Sequence, residues 1–233
     1  MVRYIPNFLT ICNLLSGCIG IVLIAEGNLN GGAYMIWLAA IFDFFDGLSA
    51  RAFSAHSSIG GELDSLSDMV SFGVLPSFII YALLKDILPE AFSDLAFVAF
   101  AIAAFSAIRL AIFNIDTRQK SSFIGLPTPA SALLISALPL SNIPLVEQLM
   151  NNYIFLILLV LVDSYLLVSN IQLMAFKFDG FGWQKNKFKY SFMLISLILV
   201  ILLNTIAIPL VILLYIIFSI LKKSWRSSPG KSS

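Results

Sequence analysis

The sequence predicts an all-α fold, a polytopic transmembrane helical bundle of about eight spans with both termini cytoplasmic. Three observations carry that expectation. Of 233 residues, 59% are hydrophobic and only 12% charged, where a soluble domain would carry about 25% charged residues. Mean hydropathy is +0.95, and the apolar residues recur in runs of about 20, the length a helix needs to cross a hydrocarbon core of ~30 Å. The basic residues, finally, collect on alternate connections between those runs.

The first run, 6–25, is too long for the apolar core of a signal peptide and lacks a small-residue cleavage site ahead of a soluble domain, so it reads as a span. Cys12 and Cys18 lie six apart within it, on different sides of a helix, and neither a disulfide nor a metal site is expected of them. The second and third runs, 32–53 and 66–84, flank a short polar loop, and the fourth covers 92–114. The fifth, 128–144, opens at Pro127 and Pro129, where proline suits a helix start. The sixth, 152–170, carries Asp163 midway. An ionisable group at that depth is a functional candidate, although bonding to Ser164 or to a neighbouring helix makes it a packing group. The seventh and eighth, 189–204 and 206–222, are parted only by Asn204 and Thr205, with Pro209 close behind, as in a tight hairpin. The chain 1–233 thus reads as a single membrane domain, with a core over 1–178 and two additional C-terminal spans over 189–222.

Orientation follows from the positive-inside rule. With the N-terminus cytoplasmic, thirteen of the fourteen Lys and Arg fall at cytoplasmic ends and loops, and only Lys85 on the other side. The opposite loops carry Glu26, Asp86, Glu90 and Glu147. The net charge of +1 says nothing about nucleic acid, and with no basic patch interleaved with exposed aromatics no nucleic-acid partner is expected. The tail KKSWRSSPGKSS reads as a polybasic end at the membrane surface.

Against this oily background, DFFDGLSARAFSAHSSIGGELDSLSD at 43–68 stands out. Asp43 and Asp46 are three apart and Asp64 and Asp68 four apart, spacings that put each pair on one helix face. Two antiparallel spans joined by a short loop then point four carboxylates into one pocket at the cytoplasmic interface. Anions so close repel strongly at low dielectric and persist by neutralisation or by coordinating cations. Arg51 is the one basic residue nearby in sequence. All-oxygen ligands without Cys or His favour Mg²⁺, Mn²⁺ or Ca²⁺. Gly47, Ala50, Gly60 and Gly61 clear side chains beside the acids, so a bulky ligand can approach the backbone. Two divalent ions with an adjacent Arg make a site suited to a diphosphate and to in-line displacement at phosphorus. A single Asp in such a place is ordinarily a solvated helix end. Four at these spacings, with Arg and Gly between them, are not.

Written out, the stretch is Asp43-x2-Asp46-Gly47-x2-Ala50-Arg51-x8-Gly60-x3-Asp64-x3-Asp68. It resembles the signature of the CDP-alcohol phosphotransferase family, membrane enzymes that displace CMP from a CDP-linked lipid or alcohol. IPNFLTICNLLSG at the start, ELDSLSDMVSFGVLPS after the loop, RLAIFN at 109–114, FIGLPTPA at 123–130 and, more weakly, LLVSNIQLMAFKF resemble the family's CDP-diacylglycerol–serine O-phosphatidyltransferase branch. One departure is visible: where that branch would have a second Arg, as in RLARFN, this chain has Ile112.

The resemblance implies transfer of a phosphatidyl group from CDP-diacylglycerol to L-serine, giving phosphatidylserine and CMP with Mg²⁺ or Mn²⁺, two ions per site. It implies that Asp43, Asp46 and Asp64 hold one metal, that Asp43, Asp64 and Asp68 hold or approach a second, and that Asp68 is the general base. Gly47, Arg51 and Ser57 would contact the CDP part of the lipid. Homodimers with one site per protomer, in the cytoplasmic membrane, are expected by the same resemblance. A serine carboxylate calls for an Arg, whose planar fork binds both oxygens. Arg109, Arg118 and Lys120 are the candidates, and Asp116 could meet the ammonium. Alternatives are the same chemistry with glycerol phosphate or inositol phosphate as acceptor, an archaeal ether-lipid donor or, from another class, a cation transporter. Transporter sites usually lie near the midplane between inverted repeats; here the acids sit at one edge and no repeat is visible. His56, the one histidine, reads as a solvated loop side chain. Asn7, Thr10 and Asn13 recur every three residues on the first span and face either the nucleotide or a neighbouring helix.

Overall fold

The computed structural model describes residues 4–53, 58–116 and 123–173, together with parts of 190–219. The described residues are helical apart from short connections and one two-residue antiparallel pairing. Helix α1 (Ile5–Ala25) has Pro6 in its first turn, where the missing N–H costs nothing. It turns through Glu26, Gly27 and Asn28 into α2 (Leu29–Ala52), whose N-terminus is capped by the Asn28 side chain accepting from Gly31 N at 2.8 Å.

The third span, Ile59–Ile87, begins about seven residues earlier than the sequence suggests. It consists of α3 (Ser58–Asp68), a π-helical turn at Met69–Val74 and α4 (Leu75–Ile87). Pro76 accounts for the wide turn. It has no N–H to give the Phe72 carbonyl, and its ring crowds that carbonyl. The chain yields by one residue, and Leu75 N bonds to Val70 O instead. Such turns frequently accompany functional sites; this one starts at the residue after Asp68.

The fourth span, Glu90–Ile115, opens as a 3₁₀ segment and continues as α5 (Ala101–Ile115). Aromatic contacts pin it to α4, with the Phe78 and Phe100 rings 5.2 Å apart and edge-on. The third span is central: 56% of its apolar window is buried, against 22% for α2. Phe72, Leu75, Ile79, Ile80 and Leu84 meet Ile36 and Ala39 of α2 and Ala99 and Ile102 of the fourth span.

Beyond this point the expected spans need correction. Four described helices are long and apolar enough to cross a membrane, or five if one sharply bent pair counts as a single span; eight are not seen among the described residues. The expected fifth span over 128–144 is instead α6 (Thr128–Ser136), nine residues or about 14 Å long at 1.5 Å per residue. Pro139 stops it, since its ring collides with the carbonyl four residues back and the residue before it disfavours helix. A turn follows, then α7 (Pro144–Met150) and α8 (Tyr153–Val168), bent 85° from one another. The expected seventh and eighth spans fall largely outside the described residues. Among their described side chains, Phe192, Ile212 and Tyr215 are buried in a cluster with Leu126.

Strand β1 (Phe123–Ile124) pairs with β2 (Gln172–Leu173). Gly125, at φ +77°, lets the chain turn from β1 into α6, and its N–H bonds to Ile171 O at 2.9 Å. This pairing ties FIGLPTPA to the end of α8.

Candidate active site

Successive spans run in opposite directions, so the start of α1, the end of α2, the start of the third span and the end of α5 share one end of the bundle. That end is where the polar residues gather. Carboxylate oxygens of Asp43, Asp64 and Asp68 lie within 4.8 Å of one another, close enough to share a cation. Asp64 Oδ1 is buried with no hydrogen-bond partner. Orphaned carboxylate oxygens in a cluster of this kind suit a hard divalent cation, so the donor set fits a metal of the Mg²⁺ or Mn²⁺ type.

Asp46 stands outside the close group of three, at the edge of a cavity. Helix α1 steadies both sets. Thr10 Oγ1 donates to Asp46 Oδ2 at 2.8 Å, and Asn13 Nδ2 donates to Asp68 Oδ1 at 3.1 Å. The polar stripe on α1 therefore serves the acids, while Asn7 faces the cavity.

The cavity holds about 470 Å³. Its walls are Pro6, Asn7 and Thr10 from α1, Asp46, Gly47, Ala50 and Arg51 from α2, and Gly60, Gly61 and Asp64 from α3, with Phe113 of α5 at one side. A Cβ added to Gly47 or to Gly61 would meet nothing within 4 Å. The protein's own packing does not demand glycine there; both positions face open space at the cavity wall. Ser57 and His56, in the connection between α2 and α3, lie outside the described residues, as do Arg118 and Lys120.

Arg109 is buried, 7% exposed, with its guanidinium carbon 5.7 Å above the Phe113 ring and its Nε without a partner. Asp68 is among its electrostatic neighbours, so this cation lies on the Asp68 side of the acidic group. Nearby, Asn114 Nδ2 donates to Ser65 Oγ at 2.9 Å, joining RLAIFN to the ELDSLSD stretch. A second, smaller cavity of about 60 Å³ opens beside Arg109, walled by the end of α5 with Asp116, by Ile124 and by residues 167–170 at the end of α8. Sequence reasoning passed over Ser169, Asn170 and Phe113 as site residues, because nothing in a linear pattern says that RLAIFN, FIGL and LLVSN converge. Asp163 is not part of either cavity. It accepts from Ser131 Oγ of α6 at 2.6 Å, inside the bundle.

Helices long and apolar enough to cross a membrane, with carboxylates gathered beside an open polar cavity at one end, are consistent with an integral membrane enzyme. The comparisons give the family. The chain belongs to the CDP-alcohol phosphatidyltransferase family, a family of phosphotransferases of phospholipid biosynthesis, which it matches over residues 3–162. It is similar to the CDP-diacylglycerol–serine O-phosphatidyltransferase of Bacillus subtilis, 33% identical over 75% of this chain and 92% of that one. It is 31% identical to the Helicobacter pylori protein of that name, over 93% of this chain and 90% of the other, so likeness extends through the C-terminal region. The archaetidylserine synthase of Methanothermobacter thermautotrophicus is 35% identical over 59% of this chain and 58% of its own length.

Proposed function

We propose that the protein transfers the phosphatidyl group of CDP-diacylglycerol to L-serine, releasing phosphatidylserine and CMP. The observation that carries the reading is the grouping of Asp43, Asp64 and Asp68 within 4.8 Å beside a cavity large enough for a nucleotide head group. The donor's diphosphate lies against the acids, with Asp46 completing the set. Gly47, Arg51 and Ser57 contact its CDP portion, and its acyl chains stay among the lipids. These carboxylates would hold divalent cations, Mg²⁺ or Mn²⁺, which would supply positive charge against the diphosphate and the leaving CMP.

The serine hydroxyl oxygen forms the new bond to the phosphorus that carries the diacylglycerol. The bond from that phosphorus to the oxygen bridging it to CMP breaks, and CMP departs with the electron pair. Asp68 takes the hydroxyl proton. Asn13, bonded to one oxygen of Asp68, leaves the other to face the alcohol. Arg109 and Arg118 are the cations assigned to the serine carboxylate. Arg51 and Arg109 at this end of the bundle, with Arg118 just beyond α5 in the sequence, support a site at the cytoplasmic face of the inner membrane, by the positive-inside rule. The working unit is taken as a homodimer with one site per protomer.

The likeness to an archaetidylserine synthase favours one other donor, an archaetidyl rather than a diacylglycerol lipid. Purified protein given CDP-diacylglycerol, L-serine and Mg²⁺ should release CMP, and EDTA should stop it. CDP-archaeol in place of CDP-diacylglycerol separates the two donors. Absence of CMP release with either donor removes the assignment.

A further inference from the structure

The wide turn at Met69–Val74 joins two pieces of one span that are held in different ways. Beyond it α4 is seated in the core, with Leu75, Ile79, Ile80 and Leu84 wholly buried. Before it α3 buries little of itself. Over 59–68 only Ser67 and Asp68 are buried, while Ile59 and Leu66 stand well exposed. Packing of α3 therefore does little to fix its rotation, yet Asp64 and Asp68 meet Asp43 from this helix.

One residue added to a turn changes the phase of everything before it. The bond from Leu75 N to Val70 O closes over five residues instead of four. An α-helix advances about 100° and 1.5 Å per residue, so α3 is offset from α4 by that step. In an uninterrupted α-helix each Cα of α3, about 2.3 Å from the axis, would lie about 3.5 Å from its present place. A carboxyl farther from the axis would move by more. That is too large a shift for three carboxylates gathered within 4.8 Å.

The turn is clamped on two sides. Ser71 Oγ donates to Asn13 O of α1 at 2.9 Å, and the same Asn13 donates to Asp68 at 3.1 Å. Toward α5, a Cβ on Gly73 would come within 3.1 Å of Ser106 Cβ. What drives the turn is Pro76, which gives the Phe72 carbonyl no N–H and crowds it.

We infer that Pro76 is a positioning residue for the acidic site: the wide turn it enforces sets the rotation at which Asp64 and Asp68 face Asp43. Pro76 lies eight residues beyond Asp68, roughly 12 Å along a helix, and acts through the turn. The consequence for catalysis rests on the metal-assisted phosphatidyltransferase reading above; the geometry does not.

Two variants and one probe test it. Pro76→Ala frees the span to close into α-helix and, by taking proline out of a helix interior, should melt no lower than the wild type. Binding of Mn²⁺ is read by electron paramagnetic resonance in detergent, without lipid substrates. It should weaken in Pro76→Ala by about 10- to 100-fold, the range for groups that orient metal ligands. Deleting Val74 from that variant takes out the extra residue, so the helix becomes continuous with the acids back in phase. Mn²⁺ affinity should then return to the wild-type value.

A proline that serves stability alone would leave Mn²⁺ affinity intact in Pro76→Ala, or weaken it equally in both variants. Either result overturns the inference. Should Pro76→Ala fail to fold, the deletion variant decides alone. Wild-type Mn²⁺ affinity upholds the phase, and weak binding or a second failure to fold overturns it. A wild-type protein that binds no Mn²⁺ overturns the inference together with the metal site. One that binds Mn²⁺ yet releases no CMP with serine overturns the phosphatidyltransferase reading and leaves the role of Pro76 standing.

Discussion

Asn13 Nδ2 donates to Asp68 Oδ1 across 3.1 Å, from the middle of the first span to the end of α3, and the same asparagine is wholly buried. Groups that orient metal-ligating or catalytic side chains typically contribute 10- to 100-fold to metal affinity or activity. Asn13→Leu keeps the volume and deletes the donor. It should raise the Mg²⁺ concentration for half-maximal CMP release by about 10-fold or more. Thr10→Val, which removes the bond to Asp46, should act in the same direction. Titrating Mg²⁺ against CMP release checks both. An unchanged metal requirement makes these bonds packing contacts and nothing more.

Asp68 lies nearest the cation side of the acidic group and is the proposed proton acceptor. Replacing it by Asn preserves shape and the ability to bond with Asn13 but removes the base. Turnover should fall by at least about 10²-fold, the usual worth of a positioned acid–base group. Binding of CMP, followed by calorimetry, should persist in the variant. Turnover that stays near the wild-type level removes Asp68 from the role.

The acidic side of this site was legible in the sequence because it is local. Asp43 and Asp46 share one helix, Asp64 and Asp68 the next, and helical spacing alone brings each pair to one face. Gly47 and Gly61 likewise announced space beside the acids, and both border the large cavity. What a linear reading could not supply is long-range. The bonds from Thr10 and Asn13 span 36 and 55 residues, and polar stripes on a helix look alike whether they meet ligands or neighbours. The smaller cavity joins segments more than 50 residues apart, with no charge pattern to mark Ser169 or Asn170. The fifth span failed for a nearer reason: hydropathy counts Pro139 as a mild interruption, whereas the backbone treats it as a stop.

Gly47 and Gly61 separate folding from binding. Both lie in helices, where Gly→Ala adds up to about 1 kcal/mol of stability. A Cβ at either position meets open space, so nothing in the protein opposes that gain. The same methyl enters the cavity proposed for the donor. Gly47→Ala should therefore melt at the wild-type temperature or above it while its KM for CDP-diacylglycerol rises about 10-fold, roughly the 1.4 kcal/mol of a modest steric clash. Thermal unfolding in detergent and initial rates read the two effects. Lower stability with unchanged KM would reverse the assignment.

Gly17 makes the opposite case. A Cβ there would come within 2.6 Å of Ser71 Oγ and 3.0 Å of Ser71 Cα, where α1 rests on the π-helical turn. Ser71 Oγ also donates to Asn13 O at 2.9 Å, so this contact sets the spacing between α1 and Asp68. Gly17→Val should cost about 1–3 kcal/mol through overpacking. Activity should fall with it, since Asn13 is displaced from Asp68. Full turnover in a destabilised variant would show that the seam between α1 and the turn carries stability alone.

Asp163 tests whether a buried charge inside a span must be functional. Its carboxylate accepts from Ser131 Oγ at 2.6 Å, both residues are buried, and neither borders the cavities at the active end. An interhelical hydrogen bond in a membrane averages only about 0.6 kcal/mol, so losing the bond by itself is minor. Leaving the carboxyl without a partner costs more, about 1–3 kcal/mol. Ser131→Ala should therefore lower stability by that larger amount, with both KM values unchanged. Deleting both groups in Ser131→Ala with Asp163→Leu removes the orphan and should recover most of the loss, since replacing both partners by apolar groups is nearly neutral. The cycle has a clear failing outcome. If the double variant melts like the wild type but no longer releases CMP, Asp163 belongs to the chemistry and not to the packing of α6 against α8.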